Sequence, residues 1–166
     1  MAAPLTTAAR LPRRALPPCF VAALAFGPTT GCEATEPTLP PLPAALRTYD
    51  EYPFGDATAA RSEWAISRVW CDLKPRHPGL REEGHAVEAD ADLAALRAGW
   101  GRALTALGWR PLDRLRDAAG RGAWVEAHES GRRVAALVGL LPRADGGSLL
   151  PVTLLTDLPR PRRSPP

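Results

Sequence analysis

The segment from residue 91 to 107 has the clearest helical periodicity in the chain. Asp90 can cap its N-terminus, and Gly108 stands where a glycine commonly ends a helix. Its large apolar side chains fall within an arc of about 80° at helical spacing. They are Leu93, Leu96, Trp100, Leu104 and Leu107. Such a stripe must be covered by another apolar surface, so the sequence predicts one amphipathic helix packed on a sheet.

Five further segments have the alternation and composition typical of β-strands. They span residues 64–73, 85–89, 123–129, 132–141 and 148–156. Ser130 and Gly131 suit a two-residue hairpin turn. Pro151 predicts an edge position or a bulge for the last strand, because proline cannot donate to the hydrogen-bond ladder.

These elements predict the fold class. Residues 110–121 fit either a short helix between Pro111 and Gly120 or a loop. The expected fold is α+β, with an antiparallel sheet of about five strands in ββαβββ order and the helix on one of its faces. One domain over residues 45–158 is long enough to bury a core.

The N-terminus has the pattern of an export signal. Three arginines precede an uncharged run over residues 15–31. The apolar part of that run, residues 19–26, is far shorter than the roughly 20 residues that span a bilayer. The sequence therefore predicts a signal peptide over residues 1–31 instead of a transmembrane anchor.

The apolar run ends at Thr29-Thr30-Gly31-Cys32, which resembles the lipobox of bacterial lipoproteins. Gly31 and Cys32 match that pattern, whereas Thr29 stands where an aliphatic residue is usual. The resemblance implies that Cys32 becomes the mature N-terminus, with diacylglycerol on its thiol and an acyl chain such as palmitate on its amine. It also implies a lipid-anchored, extracytoplasmic place in the bacterial cell envelope, with a membrane as partner. The alternatives are a secreted protein cut near Gly31 and an unprocessed cytosolic chain.

Proline-rich segments flank the predicted domain. Four prolines between residues 37 and 43 favour an extended tether over residues 32–44, at about 3.1 Å per residue. Residues 159–166 are expected to be a disordered tail rich in proline and arginine. Cys19 would leave with the signal, so a lipidated Cys32 leaves Cys71 alone. Without lipidation, Cys32 and Cys71 can form a disulfide in an oxidising compartment.

The charge distribution does not support nucleic-acid binding. The net charge of +3 comes from the ends of the chain, because residues 33–158 carry 15 basic and 18 acidic side chains. A nucleic-acid-binding domain instead concentrates basic residues on its body.

The body, over residues 49–157, is similar to a type of small bacterial envelope lipoprotein of unassigned function. Tyr52-Pro53, Gly108-Trp109 and the run Gly131-Arg132-Arg133-Val134 carry that similarity. It implies a strand meander after a helix and an envelope location, and it implies no chemistry.

Candidate metal ligands are scattered along the chain. His77, His85 and His128 are expected at the surface, where Cys71, Asp72, Glu82 and Glu83 could join them around a metal. No pair of histidines is spaced i, i+4, and no CxxC accompanies them, so no metal site is predicted.

The sequence also gives little indication of catalytic residues or of a stacking site. No Gly-x-Ser-x-Gly occurs, and Cys71 fits a small buried side chain better than a nucleophile. Trp64 and Trp70 would share one strand face with Arg68 between them, which fits either a stacking platform or, as the favoured interpretation, core packing.

These observations favour a non-catalytic binding or structural domain, anchored to a membrane through Cys32 and without a cofactor. The alternative is a small secreted enzyme or metal-binding protein with its site around His85 and His128.

Overall fold

The computed structural model describes residues 36–49, 51–144 and 146–159. The chain divides into two compact units, Met1–Ala34 and Thr35–Pro166. The first unit lies outside the described residues, so the signal peptide and the lipidation of Cys32 stay predictions. The same holds for residues 160–166 of the expected tail.

The second unit contains an antiparallel sheet and two α-helices, which confirms the α+β class. Its elements are α1 Asp56–Leu73, β1 Arg81–Glu88, α2 Leu93–Ala106, β2 Arg110–Pro111, a 3-10 helix Asp113–Leu115, β3 Ala123–Ser130, β4 Arg133–Leu140 and β5 Leu149–Thr156. The strands lie in the order β1-β5-β4-β3-β2, and every neighbouring pair is antiparallel. The β3–β4 hairpin is confirmed, but its two loop residues are Gly131 and Arg132 instead of Ser130 and Gly131, because Ser130 pairs with Arg133.

The strand expected over residues 64–73 is wrong, because these residues belong to α1. Ala65, Val69 and Leu73 are buried at four-residue spacing, which is helical spacing but also falls on alternate positions. The helix begins after Gly55 with an acidic residue, Asp56, in its first turn, where the helix dipole favours negative charge. The element order is therefore αβαββββ, with the short β2 as the fifth strand in place of residues 64–73.

The amphipathic helix is confirmed with slightly different ends. Asp92, not Asp90, caps α2, since its Oδ1 accepts a hydrogen bond of 2.9 Å from the amide of Ala95. Gly108 follows the helix in the left-handed region at φ +83°, which glycine adopts without steric cost. Leu107 is half exposed and does not belong to the buried stripe.

The two faces of the sheet are covered differently. On the face that we call the α1 face, α1 packs against β4 and β5. On the opposite face, the α2 face, α2 packs against β2 and β3. The rest of the α2 face is in contact with three leucines of the N-terminal segment, Leu39, Leu42 and Leu46. One helix on one face was expected, so the second helix is an addition.

Pro151 lies in β5, which is an inner strand and not an edge strand. Its partner Ala86 exchanges both backbone hydrogen bonds with Arg47, on the side away from β5. The backbone of Pro151 therefore faces β4, but the β4–β5 pairing stops at Gly139 and Val152. Because β4 has no ladder partner for Pro151, its missing N–H costs no hydrogen bond.

The proline-rich segment is in contact with the domain from Glu36 onward. The indole Nε1 of Trp109 donates to the carbonyl of Thr38 at 3.1 Å, and Nη2 of Arg133 lies 2.6 Å from Oε1 of Glu36. The compact unit thus includes residues that were assigned to the tether. A spacer role remains a prediction for the residues before Glu36. In the described part of the chain, no helix combines the length and the apolar character needed to cross a membrane.

Candidate functional site

His85 and His128 lie on the same face of the sheet but not in one site. Both are almost fully buried on the α2 face. His85 is on β1 and His128 is on β3, with β5 and β4 between them. At roughly 4.8 Å per strand, the two side chains are at least about 14 Å apart. The structure therefore does not bring together the two histidines of the enzyme or metal-site alternative.

Each of these histidines belongs to a small cluster of its own. His85 Nε2 lies 3.5 Å from Oε1 of Glu83, whose Oε2 is 3.6 Å from Nη1 of Arg81. We call these three residues the β1 cluster. Arg97, Glu126 and His128 form the β3 cluster. The carboxylate of Glu126 lies 3.8 Å from Nη2 of Arg97 and 3.8 Å from Nδ1 of His128. The histidine follows the glutamate by two residues in both cases, because alternate residues of a strand share a face.

The β3 cluster lies where α2 packs on β3. A Cβ on Gly101 would lie 2.9 Å from Oε1 of Glu126, so the helix approaches the carboxylate closely only because this residue is glycine. Burial lowers the pKa of His128, against a smaller opposing effect of Asp113. Burial also raises the pKa of Glu126, and the nearby Arg97 partly offsets this. His128 is buried in the core, whereas the side chains of Arg97 and Glu126 are 30% and 24% exposed.

The lowered pKa of His128 predicts a pH dependence of stability. The unfolded chain binds a proton on this histidine near pH 6.5, whereas the folded chain does so only at lower pH. The contribution of neutral His128 is therefore present above pH 6.5 and is lost as the pH falls toward the folded-state pKa. Urea denaturation of wild type and His128→Gln from pH 7.5 to 5 should show their difference in unfolding free energy shrinking. A constant or growing difference would contradict the prediction.

Arg81 and Glu83 of the β1 cluster line a cavity of about 440 Å³. The N-terminal segment forms one wall of this cavity, and β1, β5 and the chain after β5 form the other. Leu39, Leu42, Leu154 and Leu158 give most of the lining its apolar character, and Arg81 and Glu83 supply polar groups. We call it the leucine cavity. Its construction, apolar with a few polar groups, is typical of small-molecule sites.

Two buried polar atoms of the β1 cluster have no hydrogen-bond partner among the described residues. They are Nη1 of Arg81 and Nε2 of His85. The Nε of Arg81 donates to the carbonyl of Leu158 at 3.0 Å, which fixes the guanidinium at the cavity wall. Nε of Arg97 and Nδ1 of His128 in the β3 cluster are unpaired as well, so the β1 cluster is distinguished by the cavity that Arg81 and Glu83 line.

The charge state of the β1 cluster follows from its burial. Desolvation lowers the pKa of His85, and the carboxylate of Glu83 opposes this only in part. His85 is therefore neutral near pH 7 and has one ring nitrogen that donates and one that accepts. The positive Arg81 and the negative Glu83 balance each other, so the cluster as a whole has no net charge.

His77 is also buried, although it was expected at the surface. Its Nδ1 lies 3.0 Å from Oδ2 of Asp157 and 3.1 Å from the carbonyl oxygen of Arg132. Both neighbours are acceptors, so Nδ1 carries the proton. The described residues contain no group of three His, Cys, Asp or Glu side chains that could hold a metal ion.

The helical state of α1 changes the interpretation of its residues. Trp64 is 53% exposed, so core packing is wrong for this residue. The guanidinium of Arg68 lies 4.8 Å from its ring centroid, while Trp70 is half-buried and is paired with Lys74. Cys71 is exposed instead of buried, since it lies on the side of α1 that faces away from the sheet.

The sequence alone could not reveal the leucine cavity. It drew attention to His85 and Glu83, but it gave no sign that Arg81 and residues 36–42 would meet them. No family model, curated protein or solved structure matches the chain. The fold and the cavity therefore define a class only: an α+β domain with a mainly apolar cavity between its sheet and its N-terminal segment.

Proposed function

We propose that this protein is a cell-envelope lipoprotein whose domain binds a small neutral amphipathic molecule in the leucine cavity and does not transform it. The observation that carries the proposal is the unpartnered buried Nη1 of Arg81 in the wall of an apolar cavity, with the unpartnered Nε2 of His85 next to Glu83 of the same wall. A ligand that supplied their partners would remove the cost of leaving them unpaired, about 1–3 kcal/mol for each group.

The polar and apolar groups that line the leucine cavity indicate the class of ligand. Arg81 donates hydrogen bonds and Glu83 accepts them, so the matching head group both donates and accepts. The charges of Arg81 and Glu83 balance, which favours a neutral hydroxyl or amide over an ion. The leucines would receive an apolar chain, at roughly 25 cal/mol for each Å² removed from water. A monoacylglycerol or a long-chain alcohol has this character.

Binding without catalysis is the favoured activity of this cavity. Glu83 and His85 lie 3.5 Å apart without a hydrogen bond, which is not the arrangement of a positioned base and its orienting group. Among the described lining residues there is no serine or cysteine nucleophile. The enzyme alternative would need a nucleophile from elsewhere.

The proposed anchor and the cavity are close in sequence. Glu36, at the cavity wall, follows Cys32 by four residues, which span about 12 Å when extended. A lipid on Cys32 would therefore keep the cavity near a membrane surface, where neutral amphipathic molecules concentrate. With Cys32 lipidated, this proximity favours the ligand class.

The anchor is tested by the intact mass of the protein expressed in a bacterial host with its native leader. We expect a chain that begins at Cys32 and carries the added mass of lipid, and a Cys32→Ala variant without that mass. An unlipidated wild-type chain, or one that still begins at Met1, would overturn the lipoprotein assignment.

Ligand binding is tested by calorimetric titration of the full Cys32→Ala chain with monodecanoylglycerol below its micellar concentration. We expect saturable binding, at least about tenfold tighter than that of decanoate, and a loss of about tenfold in Arg81→Met. Arg97→Met is the matched control, because Arg97 pairs with Glu126 in the β3 cluster as Arg81 pairs with Glu83 in the β1 cluster. It should bind within about twofold of the parent.

Three results would contradict the binding proposal. They are the absence of binding, equal binding of decanoate, and equal losses in Arg81→Met and Arg97→Met. Recovery of cleaved ligand by mass spectrometry after long incubation would instead support the enzyme alternative. Intact recovered ligand is the expected result.

A further inference from the structure

A second cavity lies on the other face of the sheet, the α1 face, and has a different character. It has a volume of about 510 Å³ and lies between α1, the strands β1 and β5, and the segment before α1. Two tyrosines, Tyr49 and Tyr52, and two glutamates, Glu63 and Glu82, belong to its lining. We call it the tyrosine cavity. Its lining is mainly polar, whereas that of the leucine cavity is mainly apolar.

The charge of the tyrosine cavity is negative. Its described lining includes Glu63 and Glu82 but no arginine or lysine, and neither glutamate forms an ion pair with a described residue. The walls of a concave site focus such a charge on whatever enters. A cationic ligand would therefore be attracted and an anionic one repelled.

The tyrosine rings are held in place before any ligand binds. Tyr49, Tyr52 and Phe54 pack edge to face, with centroid separations of 4.9–5.8 Å. The hydroxyl of Tyr49 lies directly over Gly84, in the space that a side chain on β1 would otherwise fill. Tyrosine faces attract cations, because the ring carries negative charge on its faces.

Two buried hydroxyl side chains in the lining are without partners. Ser62 and Thr153 are 6% and 7% exposed and make no hydrogen bond with the described residues. Neither oxygen is among the fully buried unpaired atoms, so both hydroxyls can be reached from the cavity and can accept a hydrogen bond there. Serine in a helix often bonds to the preceding turn, but Ser62 does not.

Burial and the nearby glutamates both raise the pKa values of the two tyrosine hydroxyls. Burial raises the pKa of Tyr49, and the carboxylate of Glu82 adds to the effect. Burial also raises the pKa of Tyr52, with further contributions from Tyr49 and Glu63. Both hydroxyls therefore stay protonated, and the lining has no other charge to balance the glutamates.

We propose that the tyrosine cavity binds a small organic ammonium ion, with Glu63 and Glu82 balancing its charge, Tyr49 and Tyr52 contacting its carbon-bound face, and Ser62 and Thr153 accepting its N–H groups. A primary ammonium group uses all three kinds of contact, whereas a quaternary one cannot donate to the hydroxyls. This site is independent of the leucine cavity, since β1 separates the two.

The test is calorimetric titration of the full Cys32→Ala chain with butylammonium at low ionic strength. We expect saturable binding that weakens with added salt, as exposed charge interactions do. Butyrate should not bind, and tetramethylammonium should bind about tenfold more weakly, since it donates no hydrogen bond. Absence of saturable butylammonium binding, or equal binding of butyrate, would overturn the proposal.

Two neighbouring glutamates provide the matched control. Glu82 and Glu83 are consecutive in β1 and therefore belong to opposite faces of the sheet. We expect Glu82→Gln to weaken butylammonium binding about tenfold and to leave monodecanoylglycerol binding unchanged, and Glu83→Gln to do the reverse. Equal effects of the two variants on butylammonium would overturn the site. Failure of monodecanoylglycerol binding alone would overturn only the leucine cavity.

The tyrosine contribution is tested separately at Tyr52, whose side chain is half exposed. Tyr52→Phe keeps the ring face and should bind butylammonium within about twofold of the parent, whereas Tyr52→Ala should bind about fivefold more weakly. Thermal denaturation of both variants checks that the fold is retained. Equal affinity of all three proteins would show that the ring takes no part and would contradict its role here.

Discussion

Replacement of Trp109 by alanine is expected to lower the free energy of unfolding by about 3–5 kcal/mol. The side chain is 2% exposed and belongs to the core cluster on the α2 face. Its removal would leave a large void that the surrounding helix and strands cannot close completely. Because single domains are stable by only about 5–15 kcal/mol, this loss is a large share of the total. Urea denaturation at pH 7 measures it.

The same variant should also weaken binding in the leucine cavity. The indole Nε1 of Trp109 donates to the carbonyl of Thr38, which is part of the cavity wall. Without this hydrogen bond the N-terminal segment loses one of its attachments to the domain. We therefore expect little or no binding of monodecanoylglycerol by Trp109→Ala under conditions where it remains folded.

Two variants separate the volume of Trp109 from its hydrogen bond. Trp109→Phe keeps most of the ring and removes the N–H, so we expect a smaller loss of stability together with weaker ligand binding. Trp64→Ala is the control for a tryptophan outside the core and should cost less than about 1 kcal/mol, since Trp64 is 53% exposed. A loss at Trp109→Ala as small as that at Trp64→Ala would contradict the core role.

The sequence predicted the parts of the fold that depend on local periodicity. In α2, residues such as Leu93, Leu96 and Trp100 repeat at helical spacing and fit no strand. The segment over residues 64–73 was misassigned because Ala65, Val69 and Leu73 satisfy both a helix and an alternating strand. The helix is selected over the strand by the packing of this segment against β4 and β5. The local periodicity of the sequence gives no information about that contact.

The site was harder to predict than the fold, for two physical reasons. On β1, the residues Arg81, Glu83 and His85 share one face, and a row of polar side chains indicates a face toward solvent. The structure instead places the N-terminal segment over them, with His85 buried. The contacts that hold this segment join residues 71 and 97 positions apart, Thr38 to Trp109 and Glu36 to Arg133. Periodicity carries no information about such distant pairs.

Replacement of Asp157 by alanine is expected to lower the free energy of unfolding by about 2–5 kcal/mol, because it removes the partner of two buried groups. Oδ1 of Asp157 accepts a hydrogen bond of 2.8 Å from the amide of Val134, and Oδ2 accepts one from Nδ1 of His77. The carboxylate thus joins the loop after α1 to the start of β4. Alanine would leave the Val134 amide with no acceptor and His77 with only the more distant carbonyl of Arg132.

The conservative variant Asp157→Asn shows whether the loss arises from these hydrogen bonds. Its amide oxygen can still accept from Val134, but its NH₂ group faces the protonated Nδ1 of His77 and cannot accept there. We therefore expect Asp157→Asn to lose roughly half as much stability as Asp157→Ala in urea denaturation at pH 7. Hydrogen exchange at the Val134 amide should accelerate strongly in the alanine variant and little in the asparagine variant. Equal losses of stability in the two variants, or an unchanged exchange rate in Asp157→Ala, would contradict a link between the loop and the sheet through this carboxylate. Both comparisons depend on the hydrogen bond from the Val134 amide to Oδ1 of Asp157.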